Sequence, residues 1–140
     1  MQLLRESFLL QRRINVPLFT IEQALGFGLR SRGDANLTAT GLSLNDGFDF
    51  VPSWPRHCWR GRGRLTNDRG RKIALVDVEF GMWSDDAAEL VVRPVARYPY
   101  RWSGRRQRAY FRAAHDACDQ LLQTTTTLAM FERDELVEAR

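Results

Sequence analysis

Lysine is almost missing from this chain. Of its 21 basic residues one, Lys72, is lysine and the rest are arginine, for a net charge of +4 over 140 residues. A positive balance admits nucleic acid, acidic proteins or anionic lipid surfaces as partners. The arginine excess is also what a GC-rich genome writes by default, so it singles out none of them. Cysteine is equally scarce. Cys58 and Cys118 stand far apart and form no CxxC pair, which excludes a disulfide framework and leaves two reduced thiols. His57 and His115 lack metal-ligand spacing to each other or to the cysteines, so no metal and no cofactor is expected. Long apolar runs are absent as well. None approaches the roughly 20 residues that span a bilayer, and the opening "MQLLRESFLLQRR" carries charges inside its apolar stretch without a small-residue cleavage site. These absences give the expectation of a cytoplasmic protein. No P-loop, GxGxxG, GxSxG or HExxH occurs, and no catalytic constellation is visible, so an enzyme is not the expected reading.

What is present suits a soluble globular domain: 44% apolar and 27% charged residues. The length allows one core. Residues 1–127 read as one domain, and 128–140 as a tail or short helix after the run Thr124–Thr127, where four β-branched residues argue for a break.

Along the chain, Leu4, Phe8, Leu10, Ile14 and Val16 share one parity, which predicts a strand that Arg12 interrupts. Pro17 ends it. "LFTIEQALGFGL" predicts a short helix with Thr20 as cap and Gly26 and Gly28 as stops. "RSRGDAN" is a turn. "NLTATGLSL" and "FDFV" predict two strands joined by the hairpin turn "NDG", and "PSWP" breaks the chain after them.

"HCWRGRGRLTNDRGRKIALVDVEF" admits two readings, an arginine–glycine box for RNA or half of a β-hairpin. Trp59, Gly61, Gly63 and Leu65 alternate with Arg60, Arg62 and Arg64. The following run puts Ala74, Val76, Val78, Phe80 and Met82 on one parity with Asp77 and Glu79 on the other. A disordered box would not be followed by a complementary strand, so the hairpin is favoured. A four-residue loop "NDRG" sets Trp59 against Val78, Gly61 against Val76, and Arg60 against Asp77 on the solvated face. A five-residue loop "SDDAA" then sets Phe80 against Val92, Val78 against Pro94 and Glu79 against Arg93, with Pro94 marking an edge or a bend.

From Ser103, a plausible N-cap, the period becomes helical. Tyr110, Phe111, Ala114, Ala117, Cys118, Leu121, Leu122 and Thr125 form an apolar stripe. Arg105, Arg108, Arg112, Asp116, Asp119 and Gln123 cover the other face. The fold class is therefore α+β: an antiparallel sheet packed on a long C-terminal helix, with a short helix after the first strand.

This order of elements, over residues 4–127, resembles the START-like or SRPBCC superfamily, the helix-grip fold. Where that family has two short helices and six further strands, this chain offers one and five. The resemblance implies a curved sheet gripping the helix and a cavity between them for a small hydrophobic molecule of lipid or polyketide type.

Candidate cavity residues are Trp59, Gly61, Gly63, Val78, Phe80, Tyr98, Tyr110, Phe111 and His115. The inward glycines leave room for a ligand or for a sheet bend. The aromatics are core or cavity wall, and buried Tyr and Trp need a polar partner that a ligand or a carbonyl can supply. His115 sits at the edge of the stripe. As an acid–base group it needs a carboxylate, and Asp77 and Glu79 point to the opposite face. Cys118 one turn away has no third orienting group. The competing reading is a basic adaptor for nucleic acid or an acidic protein. It rests on Arg101, Arg105, Arg106, Arg108 and Arg112, beside Tyr98, Tyr100 and Trp102, since interleaved basic and aromatic residues suit single strands.

Overall fold

The computed structural model describes residues 8–26, 41–44, 48–52 and 57–138. The "RSRGDAN" turn, Gly28, the "NDG" tripeptide and most of "PSWP" lie outside them. Among the described residues, six strands and two α-helices follow in the order β1 (Leu10–Ile14), α1 (Leu18–Leu25), β2 (Leu42–Leu44), β3 (Asp49–Val51), β4 (Cys58–Thr66), β5 (Lys72–Ser84), β6 (Ala87–Pro94) and α2 (Gly104–Glu138). A 3-10 turn, Pro99–Arg101, leads into α2. All strand pairs are antiparallel, in the order β1-β6-β5-β4-β2, with β3 also on β4, and the sheet curls into a half-barrel. The α+β class read from the sequence is the fold observed.

Alternation decides which side faces the core. Trp59, Gly61, Gly63 and Leu65 of β4 are buried on the inner face with Val76, Val78 and Phe80 of β5 and Leu90 and Val92 of β6. Helix α2 covers them with Tyr110, Ala114, Ala117, Cys118 and Leu121, all fully buried. Each large side chain so removed from water contributes about 1.5–3 kcal/mol. Helix α1 packs on α2 through Leu18, Ile21 and Leu25. Among the described residues no helix is long and apolar enough to cross a membrane.

Both hairpins keep the expected faces but slide by two residues. Trp59 pairs with Phe80, Gly61 with Val78, and Arg60 with Glu79. The loop runs from Asn67 to Arg71, one residue longer than "NDRG", and a bulge at Ile73 adds the second. Between β5 and β6 the turn is only Asp85–Asp86, with a bulge between Met82 and Ser84, so Phe80 meets Leu90 and Val78 meets Val92. Arg93 accordingly pairs with Asp77, yet its Nη2 still donates diagonally to Glu79 at 3.1 Å. Strand β6 is not an edge. It lies between β1 and β5, and Pro94 is tolerated because β1 reaches only as far as Val92.

Three other expectations need correction. Strands β2 and β3 do not form a hairpin with each other, because both run antiparallel to β4 along its same edge. Helix α1 begins at Leu18 rather than at a Thr20 cap. Pro17, with φ −61° and ψ 150°, starts it without a side-chain cap, and Gly26 ends it at φ 72°. Helix α2 does not break at the threonines. Four threonines cost only a few tenths of a kcal/mol each, while Thr125 and Ala129 are buried and Thr127 Oγ1 donates to the Gln123 carbonyl at 2.8 Å.

Candidate functional site

The start of α2 is anchored before it is lined. The Ser103 hydroxyl accepts the Arg106 backbone N–H at 3.2 Å, as an N-cap does. Gln107 donates its side-chain amide to the carbonyls of Tyr100 and Trp102. The bulge at Ile73 leaves a carbonyl outside the ladder. Arg106 donates both Nε and Nη2 to it, at 3.2 and 3.0 Å, and lies 4.5 Å over the Trp102 ring. One arginine thus pins the helix to the sheet at the point where the strand is irregular.

The facing wall is set by the β4–β5 loop. Asn67 Oδ1 accepts the backbone N–H groups of Arg69 and Arg71, and Gly70 sits at φ 76°. Gly41 lies beside this loop at φ 84°. Its carbonyl accepts the Thr66 N–H at 2.7 Å, and a Cβ there would stand 2.8 Å from the Thr66 carbonyl oxygen. Only glycine permits that approach.

Between anchored helix and loop lies a cleft of about 410 Å³. Its floor is Ile73, Ala109 and Ala113, and Arg105, Arg108 and Arg112 stand along the helix side. Asp68 and Thr66 close the loop side, and Asp116 and Gln120 the far end. Arg105, Arg108 and Arg112 are exposed, and none forms an ion pair with a described carboxylate. The first turn of α2 contains no acidic residue either, although the positive end of a helix favours one.

The residues singled out from the sequence fall in three places. Trp59, Gly61, Gly63, Val78, Phe80 and Tyr110 lie together in the core between sheet and helix. The Tyr110 hydroxyl donates to the Phe8 carbonyl at 2.8 Å, so a main-chain oxygen supplies its partner. Phe111 is half-buried and stacks on Phe8 at 5.1 Å. His115 is exposed at the sheet edge, where its Nδ1 accepts from Arg12 Nη2 at 2.9 Å, and Arg12 Nε approaches Asp119 at 3.9 Å. Arg12, the residue that broke the first strand's alternation, is therefore the tie from β1 to the helix. Tyr98 stands apart, exposed, with Arg101 4.7 Å and Arg97 5.6 Å over its ring.

The five arginines of the basic stretch also divide. Arg106 is bound to Ile73 and Trp102, Arg101 is stacked on Tyr98, and Arg105, Arg108 and Arg112 line the cleft. Sequence reasoning marked those three but missed Gly41, Ile73, Ala109 and Ala113. The small pair at i and i+4, on the arginine face, was the available signal.

Other titratable groups serve the fold. On the outer face Glu79 accepts from Arg60 Nε at 2.7 Å and from Arg93, and Asp77 accepts from Arg62 Nε at 3.1 Å. Burial, then the neighbouring Glu79, raises the Cys58 thiol. Burial pushes Cys118 up to about 11 and raises the Tyr110 phenol, so neither is a nucleophile at neutral pH. No family model, curated protein or solved structure matches this chain.

Proposed function

We propose that this protein binds a small, largely hydrophobic molecule between the sheet and the C-terminal helix, in the cleft at the first turns of α2. The cleft itself carries the reading: about 410 Å³ with an apolar floor of Ile73, Ala109 and Ala113, within the range of small-molecule sites. A curled sheet against a long C-terminal helix is compatible with the helix-grip fold, in which a ligand lies between those two elements. Trp59, Phe80 and Tyr110 lie in the core, and none of them lines the cleft.

The alternative reading, a basic adaptor for nucleic acid or an acidic protein, draws on the same three arginines. Its aromatic half is weaker. Arg97 and Arg101 lie over Tyr98, and Arg106 over Trp102, so those ring faces are engaged where a base would stack.

The test is binding of the neutral probe Nile red, with native mass spectrometry of the purified protein. Saturable binding that Ala113→Phe abolishes, at an unchanged melting temperature, supports the cleft. Ala109→Leu is the second variant if the first fails to fold. Binding unaffected by either change refutes it, and a co-purifying oligonucleotide favours the adaptor.

A further inference from the structure

The arginines of the cleft determine what kind of molecule it accepts. Arg105, Arg108 and Arg112 recur at i, i+3 and i+7, which puts them on one face of α2 along about 10 Å of its axis. Ala109 and Ala113 lie on the same face, one helical step inward, with Ile73 opposite. A row of cations thus borders an apolar floor. The carboxylates in the lining, Asp68 and Asp116, number two against three guanidiniums, and neither is ion-paired to one of them. Arg60, Arg62 and Arg93 each meet a buried carboxylate, and Arg106 meets a carbonyl.

We infer that the ligand is an amphiphile with an anionic oxygen head, carboxylate or phosphate, held by Arg108 and Arg112 while its apolar part covers Ala109, Ala113 and Ile73. The inference rests on the cleft reading above and goes beyond it by naming the head group. Three observations converge on it. The guanidiniums form no ion pair with a described carboxylate, their fork geometry matches carboxylate and phosphate oxygens, and the first helical turn lacks the acid that its dipole favours. Arg105, nearest the helix start, widens the positive field at the mouth.

The experiment is displacement of Nile red from the full chain by octanoate, octyl phosphate and 1-octanol, which share an apolar body and differ in the head. An anion should displace the probe at a concentration about tenfold lower than the alcohol, as expected for charge-assisted hydrogen bonds. The better of octanoate and octyl phosphate identifies the head. The paired change Arg108→Gln with Arg112→Gln should erase the preference, read as the ratio of anion to alcohol displacement, and Arg97→Gln, outside the cleft, should leave it in place. Rising salt should shrink the preference without affecting Nile red itself. Equal displacement by alcohol and anion, or a preference that survives the paired change, overturns the head-group assignment and leaves the cleft standing. Failure of Nile red to bind the unaltered protein sinks the cleft, and the assignment with it.

Discussion

Removing the Tyr110 hydroxyl tests whether the core is self-sufficient. Tyr110→Phe keeps the ring, and with it the contacts to Phe8 at 6.0 Å, Trp102 at 5.5 Å and Phe111 at 5.4 Å. What disappears is one hydrogen bond to the Phe8 carbonyl. A typical net loss is about 1 kcal/mol. Phe8 is only 4% exposed, so water cannot easily replace the donor, and the stranded carbonyl adds to the cost. The expected destabilisation is about 1.5–2 kcal/mol. For a chain of this length that is a fall in melting temperature of roughly 6 °C.

Urea unfolding followed by tryptophan fluorescence measures it, with the slope of the transition unchanged. Tyr110 does not line the cleft, so Nile red affinity should also be unchanged. Phe8→Ala serves as the large control, at about 3–5 kcal/mol, because it removes a ring shared by three aromatic contacts. A loss below about 0.3 kcal/mol for Tyr110→Phe would show that the bond contributes nothing. A large drop in probe affinity with stability intact would place the ligand against the phenol, in the core, and would refute the cleft.

The hairpin register has an equally sharp consequence. A double-mutant cycle on Arg60 and Glu79 should give a coupling of about 1 kcal/mol, modest because Arg60 is 44% exposed, whereas Arg60 and Asp77 should couple by less than about 0.3 kcal/mol; the reverse order would restore the shorter loop. Cys118 and Tyr110 have raised ionisation in the folded state, so the Cys118 contribution to stability is complete below the unfolded thiol value of 9.0 and is lost as pH rises toward about 11, while that of Tyr110 begins to be lost only above 10.0. A melting temperature that stays level from pH 8 to 10.5 would contradict this. At glycines of positive φ the surroundings should separate two otherwise similar substitutions. Gly70→Ala meets nothing within 4 Å and should cost about 1 kcal/mol, whereas Gly41→Ala runs into the Thr66 carbonyl and should cost more than about 2 kcal/mol by thermal unfolding.

The faces of this fold were legible in the sequence because period and parity are local. Two-residue alternation placed Trp59, Gly61 and Gly63 inward and Asp77 and Glu79 outward, and the helical stripe from Tyr110 to Thr125 came from spacing alone. Register was not legible. The slide at each hairpin combines a one-residue change at the loop with a one-residue bulge, at Ile73 or before Ser84, and the alternating pattern resumes beyond each bulge. Slips of two residues also preserve every face, so hydrophobic patterning cannot distinguish them. The Thr124–Thr127 run misled for another reason. Its propensity cost is small, and packing of Leu121, Thr125 and Ala129 outweighs it.

The candidate site was half legible for the same reason that register was not. The basic stretch of α2 is visible as a string of arginines, but its sorting depends on where the strands place their irregular carbonyls. Ile73 is the pivot. Because it is bulged, its carbonyl is free to take both Arg106 donors, and its side chain becomes the cleft floor. Arg106 is thereby removed from the basic surface, and the adjacent aromatics are covered by Arg97, Arg101 and Arg106 itself. Arg60, Arg62 and Arg93 meet buried acids on the outer face, Arg12 meets His115 and Asp119 at the β1 edge, and Arg97, Arg101 and Arg106 lie over rings beside the 3-10 turn. Arg105, Arg108 and Arg112 form no ion pair with a described carboxylate, and they border the cleft. Cations lined along the first turns of a helix whose first turn holds no acid favour an incoming anion, which is why the cleft, rather than the aromatic core, is the place to look for the ligand.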